Sequence, residues 1–113
     1  MLRASSQTHA ESVDLNVVMS GEFAGDVPHG RELVALAEAV VSNDPDTVTP
    51  ARDALVQAIG EAGMVDAVGV ASNFQRMVRI ADSTGITLGN FEAITEDIRK
   101  DLGINAFARA ATA

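Results

Sequence analysis

The longest apolar-periodic stretch of the chain decides the fold; it covers residues 64–83 and reads MVDAVGVASNFQRMVRIADS. Apolar residues recur in it every three or four positions, which is the period of one face of a helix. These residues are Ala67, Val70, Ala71, Phe74, Met77, Val78 and Ala81. Val65, Val68 and Ile80 widen the apolar surface beyond that of a simple surface helix. The pattern therefore predicts a helix that is central to the domain or meets another subunit.

Two shorter helices are predicted before this stretch. Apolar residues at helical spacing indicate the first helix over residues 31–42. The second is predicted over residues 50–61, because Thr49 is a favourable N-cap and Pro50 suits the first helical position. Gly63 is expected to end this helix, since glycine adopts the left-handed conformation beyond a helix end at little cost.

The rest of the chain completes a small domain. Gly85 is predicted to end the long helix, and a last helix is predicted over residues 90–102. About four helices joined by short loops indicate an all-α, bundle-like domain over residues 30–104. Residues 1–29 are expected to form a mostly irregular N-terminal tail and loop, and residues 105–113 a frayed C-terminus.

Composition excludes several classes of function. The 113 residues include no cysteine, so disulfides, thiolate nucleophiles and zinc-finger sites are excluded. A formal net charge of −8 argues against nucleic-acid binding, which needs a basic face. The sequence shows no continuous apolar run of the roughly 18–20 residues that a membrane span needs, and no secretory signal, so a cytoplasmic location without membrane contact is expected. Abundant alanine, and arginine in place of lysine, are typical of a bacterial genome.

The polar side of the long helix carries the candidate ligand-binding residues Asn73, Arg76, Arg79 and Asp82. Two guanidinium groups one turn apart suit a carboxylate or phosphate, so these residues are a candidate clamp for a small anion. The alternative is a solvated or interfacial face of ion pairs, which long helices commonly carry. Neither histidine has a second ligand at metal-binding spacing, so neither a metal nor a cofactor is predicted.

The apolar width of the long helix predicts self-association. A core of alanines and four phenylalanines is thin for a monomer. Val65, Val68, Gly69 and Ile80 are therefore expected to form a homo-oligomeric interface, with a two-fold dimer favoured. Gly69 inside the helix fits this expectation, because a missing side chain permits close approach of a neighbouring backbone.

The same stretch resembles a known superfamily. Asn73-Phe74, Arg79, Ala81-Asp82 and Gly85-Ile86 are similar to a signature in the C-terminal helical part of the alkylhydroperoxidase D-like and carboxymuconolactone decarboxylase-like proteins. The resemblance implies an all-α fold and a tendency to form homo-oligomers. The peroxidase members act through a Cys-x-x-Cys motif, which this chain lacks, so the resemblance implies no thiol peroxidase activity.

Two functions remain open from the sequence. The first is a non-catalytic helical module that acts through self-association or a protein partner. The second is a cofactor-free enzyme or binder of a small anionic ligand, as the resemblance to carboxymuconolactone decarboxylase-like proteins implies. A pocket that holds the arginines away from bulk water would favour the second function, whereas their full exposure would favour the first.

Overall fold

The computed structural model describes residues 14–16, 18 and 27–107. Helices make up the regular structure of these residues and no strand occurs among them, which confirms the predicted all-α class. Most of the predicted N-terminal tail and loop (residues 1–13, 17 and 19–26) and residues 108–113 of the predicted frayed C-terminus lie outside the described residues. The helices are α1 (Gly30–Ser42), α2 (Pro45–Thr84), α3 (Phe91–Ile94) and α4 (Glu96–Asp101), followed by a 3₁₀ turn (Ile104–Phe107).

Helix α2 begins earlier than the sequence predicts. Asp44 has extended backbone angles (φ −106°, ψ 112°), and its side chain accepts a hydrogen bond of 3.0 Å from the backbone N–H of Asp46. Pro45 follows as the first helical residue. Asp44 and Pro45 thus supply the same pair of start signals as Thr49 and Pro50, but nearer to α1. The prediction of a start at Thr49 is wrong because the helix has already begun there, and Pro50 lies inside it.

The helical path is interrupted at Gly60 rather than at Gly63. Gly60 has φ 82° and ψ 170°, which is a conformation essentially restricted to glycine. Helical structure resumes immediately, so that the two predicted helices form one 40-residue element with a kink. The expectation that Gly63 ends a helix is therefore wrong, since Gly63 lies inside α2.

The C-terminal end of α2 follows the prediction. Gly85 takes the left-handed conformation (φ 69°), and its backbone N–H bonds to the carbonyl of Ala81. The N–H of Ile86 bonds to the same carbonyl at 3.0 Å. These two hydrogen bonds satisfy a carbonyl oxygen at the end of the helix. They also turn the chain so that the residue after Gly85 lies beside the last helical turn. Ile86 therefore lies close to Ala81.

The predicted last helix is divided at Thr95. This residue has φ −100° and ψ 5°, and it separates α3 from α4. Its hydroxyl donates a 2.6 Å hydrogen bond to the carbonyl of Phe91, in competition with the backbone bond to that oxygen. The helical pattern of hydrogen bonds resumes directly after Thr95, because the N–H of Arg99 donates to the carbonyl of Thr95.

The core lies between α1 and the adjoining part of α2. Leu36 and Leu55 are 2% and 0% exposed, and Ala39 is 5% exposed. The predicted core stripe on residues 64–83 is buried only in part, since Phe74 remains 45% exposed. The reason is length: the 13 residues of α1 extend about 20 Å, too little to cover both the part of α2 before Gly60 and the part after it.

Candidate functional site

A row of exposed apolar side chains follows the C-terminal half of α2. Spacings of three and four residues place these side chains on one side of the helix. Three of them, Phe74, Met77 and Val78, are between 45% and 52% exposed, and Val70 is 59% exposed. Ile86, which the helix end brings beside Ala81, is 68% exposed. We call this surface the α2 stripe; it consists of Val70, Phe74, Met77, Val78, Ala81 and Ile86.

An apolar pocket adjoins the α2 stripe. It has a volume of about 310 Å³ and lies between residues 33–37 of α1 and residues 67–71 of α2. Its walls carry almost exclusively carbon atoms, so it suits an aliphatic or aromatic group rather than an ion. The lining residues are Leu33, Leu36 and Ala37 from α1, and Ala67, Val70 and Ala71 from α2. Val70 belongs to both the pocket and the stripe, so the two form one continuous surface.

The residues predicted as an oligomer interface lie on another side of α2. Val65 and Ile80 are 61% and 49% exposed, Val68 is half-buried, and Gly69 is exposed. A Cβ atom on Gly69 would meet nothing within 4 Å, so no backbone of the described residues packs against it. Polar Ser72 and Arg76 lie between Gly69 and Ile80 at helical spacing. We call Val65, Val68, Gly69 and Ile80 the Val65 patch. Polar side chains interrupt this patch more than they interrupt the α2 stripe.

The candidate anion clamp is a solvent-exposed helix face. Asn73, Arg76, Arg79 and Asp82 are all exposed. Nη2 of Arg76 donates a 2.8 Å hydrogen bond to Oδ1 of Asn73, and the amide of Asn73 lies 3.7 Å from the sulfur of Met77. The guanidinium of Arg76 is thus partly engaged by its own helix. Exposure of all four side chains is the arrangement that favours the solvated face over a ligand site.

A second polar cluster gathers around Arg99, between α3, α4 and the 3₁₀ turn. Nη2 of Arg99 donates to the carbonyl of Glu92 at 2.5 Å, and Nη1 donates to Oδ1 of Asn105 at 3.2 Å. Nζ of Lys100 pairs with Oε1 of Glu96 at 2.6 Å. The cluster lines an open cleft of about 610 Å³. Both cations are engaged with oxygen atoms of the chain itself, so this cluster ties the short C-terminal elements together.

Sequence reasoning missed the role of Arg99. It predicts only that Arg99 and Lys100 complement the dipole at the end of the last helix. The bond from Arg99 back to the carbonyl of Glu92 spans seven residues, and the bond to Asn105 depends on the turn after α4. The bond to Asn105 has no sequence signal, because it requires the chain to turn at Gly103, where φ is 66°.

Length and composition make α2 compatible with a membrane span. Its most apolar 18-residue window has a mean hydropathy of 1.4 and is 6% buried. The core helices of soluble proteins can have the same length and hydropathy, but neighbouring elements bury them. The kink at Gly60 interrupts the helix, and Glu61 and Asp66 follow shortly after it. Carboxylates near the centre of a span oppose insertion by roughly 2.5–3.5 kcal/mol each.

Comparison with known proteins returns no match: no protein-family model fits the chain, and neither a curated protein nor a solved structure is significantly similar to it. The resemblance to alkylhydroperoxidase D-like proteins therefore stays an expectation from the sequence.

Proposed function

We propose that the chain is a non-catalytic helical module that acts through self-association or a protein partner, with the α2 stripe as its contact surface. The observation that carries this proposal is the exposure of the stripe. Phe74, Met77 and Val78 recur at the spacing of a core-facing helix, yet each leaves about half of its surface in water. Large apolar side chains that have the spacing of a core-facing helix but remain exposed indicate a surface that another molecule covers.

The free energy available from covering the stripe is substantial. Full burial of one large apolar side chain is worth roughly 1.5–3 kcal/mol, so each half-exposed member retains about half of that. For the five large side chains of the stripe, the sum is roughly 4–7 kcal/mol for each chain. A domain of this size is stable by only about 5–15 kcal/mol in total. Covering the stripe therefore contributes as much as a large part of the folding stability.

The alternative of a small-anion binder receives less support. Its four candidate residues are exposed, and the pocket beside the stripe is apolar. An anion held by exposed arginines competes with bulk water and salt, which weakens the pairing. The decarboxylase-like function rests on the family resemblance alone.

The test compares two arginine substitutions about 120° apart around α2. Phe74→Arg places a charge on the stripe, whereas Ile80→Arg places the same charge at a site of nearly equal exposure on the Val65 patch. Extracts of cells that naturally make the protein are separated by size, with the tagged chain detected at its natural abundance. We expect the wild-type and Ile80→Arg chains to elute as a complex larger than the monomer, and Phe74→Arg to elute as the monomer. Elution of the wild-type chain as a monomer would refute the proposal.

A further inference from the structure

The α2 stripe and the adjoining pocket offer apolar projections and an apolar hollow on one continuous surface. The stripe presents two long protruding side chains, Phe74 and Met77, which are 45% and 49% exposed. The pocket is an apolar hollow of about 310 Å³, with alanines from both helices in its wall. A surface with projections and an adjacent hollow of the same chemistry can pair with a copy of itself, because a two-fold axis brings each projection to the other chain's hollow.

We propose that the α2 stripe is covered by a second copy of this chain, paired antiparallel, with Phe74 and Met77 of each chain in the α1–α2 pocket of the other. This inference rests on the proposed function and names its partner. The two-fold axis passes at the level of Ser72. Each chain contributes the same surface, so the contact is closed and the assembly is a dimer.

The register follows from the spacing of large and small residues. In an antiparallel pair centred at position 72, Phe74 of one chain lies at the level of Val70 in the other. Met77 then lies at the level of Ala67. Val70 and Ala67 both line the pocket, so each long side chain meets a hollow rather than another long side chain. Alternation of large and small residues across facing positions is the condition for close packing of two helices.

The area matches what a stable dimer needs. A standard interface buries about 800 Å² on each partner, of which roughly 60% is apolar. In this register Ile86 lies at the level of residue 58, beyond the kink in α2 of the other chain, and is not counted. At about 150–200 Å² for a fully exposed large side chain, the exposed fractions of Val70, Phe74, Met77 and Val78 amount to roughly 350 Å². These four side chains thus supply most of the apolar requirement, and the rims of the pocket add to it.

The charge of the chain favours a second copy over a lipid surface. A formal net charge of −8 is repelled by the anionic lipids of a cytoplasmic leaflet. Two copies also repel each other, but the contact itself is apolar and the repulsion is screened by salt. The dimer is therefore expected to strengthen as salt concentration rises, in contrast to an association held by ion pairs.

The first measurement is sedimentation of the purified protein from micromolar to submillimolar concentration. We expect a monomer–dimer equilibrium in the wild type. Phe74→Arg should raise the dimer Kd by about 100-fold or more, because two unpaired charges would enter the apolar contact. Ile80→Arg serves as the matched control and should leave Kd within a few-fold of the wild type.

The second measurement reads the register by cross-linking. The chain has no cysteine, so an introduced thiol is unique. A mixture of Ala67→Cys and Met77→Cys proteins, treated with a short bis-maleimide, should give a cross-linked heterodimer. Met77→Cys alone should give little product, since two copies of residue 77 lie about ten residues, or roughly 15 Å, apart along the helix axis.

The outcomes separate this inference from the proposed function. A purified wild-type protein that sediments as a monomer would overturn the second copy as occupant, as would efficient cross-linking of Met77→Cys to itself. If the chain in cell extract still elutes as a larger complex that Phe74→Arg disrupts, the proposed function stands and the partner is a different protein. Monomeric behaviour in both settings would overturn both.

Discussion

Because α2 is kinked at Gly60, Gly60→Ala and Gly69→Ala should change the free energy of unfolding in opposite directions. Gly60 has φ 82° and ψ 170°, whereas Gly69 lies in regular helix. Neither position is crowded, since a Cβ atom would meet nothing within 4 Å at either one. Any difference in free energy of unfolding between Gly60→Ala and Gly69→Ala therefore comes from the backbone conformation.

The magnitude follows from the two conformations. Holding alanine in a backbone region essentially restricted to glycine costs of the order of 1–3 kcal/mol. Replacing glycine by alanine inside a regular helix gains about 0.5–1 kcal/mol. Both substitutions restrict the unfolded chain to a similar degree, so that contribution cancels in the comparison. We expect Gly60→Ala to be destabilised and Gly69→Ala stabilised, with a difference of roughly 1.5–4 kcal/mol.

Urea denaturation followed by circular dichroism measures both values. Equal slopes of the two transitions would show that the midpoints report stability rather than a change in exposed surface. Each variant is measured at two protein concentrations, so that any contribution from association is visible.

Two results would contradict this reasoning. Equal stabilisation by Gly60→Ala and Gly69→Ala would show that α2 is a straight helix through position 60. A destabilised Gly69→Ala protein would show that a neighbouring backbone packs over Gly69. That second result would support the Val65 patch, rather than the α2 stripe, as the oligomer interface.

Three further predictions concern single positions, and a fourth concerns the lack of cysteine. Leu55→Ala should lower the free energy of unfolding by about 2–5 kcal/mol in urea titrations, because Leu55 is 0% exposed. Asp44→Ala should cost about 0.5–2 kcal/mol in the same assay, and Asp44→Asn much less, since asparagine also caps a helix. Val68→Glu should leave the size measured by light scattering unchanged, because the proposed interface is the α2 stripe; a smaller size would show that the Val65 patch is the interface. The purified protein should not reduce organic hydroperoxides with dithiols, because that chemistry needs a thiolate and the chain has no cysteine.

Local signals in the sequence predicted the helical elements and several of their ends. The first helix and the termination at Gly85 are confirmed, because periodicity and a glycine after the last apolar turn depend on nearby residues only. Local signals failed where two similar ones compete. Asp44-Pro45 and Thr49-Pro50 are both good starts, and Gly60 and Gly63 are both possible interruptions. Which start signal begins α2, and which glycine interrupts it, depends on the direction that α2 must take to pack against α1.

The sequence predicted that the long helix has an uncovered apolar surface, but not which of its side chains form that surface. The sequence shows that residues 64–83 are more apolar than their neighbours can cover. It predicts the stripe through Phe74 as core and the Val65 patch as interface. In the structure the large side chains of the stripe are left about half exposed to water or more. The sequence cannot show this, because periodicity reveals which side chains share a face and not how far another helix extends along it.

The amino-acid sequence by itself determined the all-α class, the residues that share each helix face and the absence of thiol chemistry. Each of these depends on residue type and on spacing along one segment. The tertiary structure alone decided that Leu36 and Leu55 meet in a small core, that Arg99 reaches back to Glu92 and that an apolar pocket opens beside Val70. The core and the pocket bring together residues far apart in the chain, and the bond from Arg99 crosses the break at Thr95. Contacts of both kinds exist only once the relative placement of the segments is set.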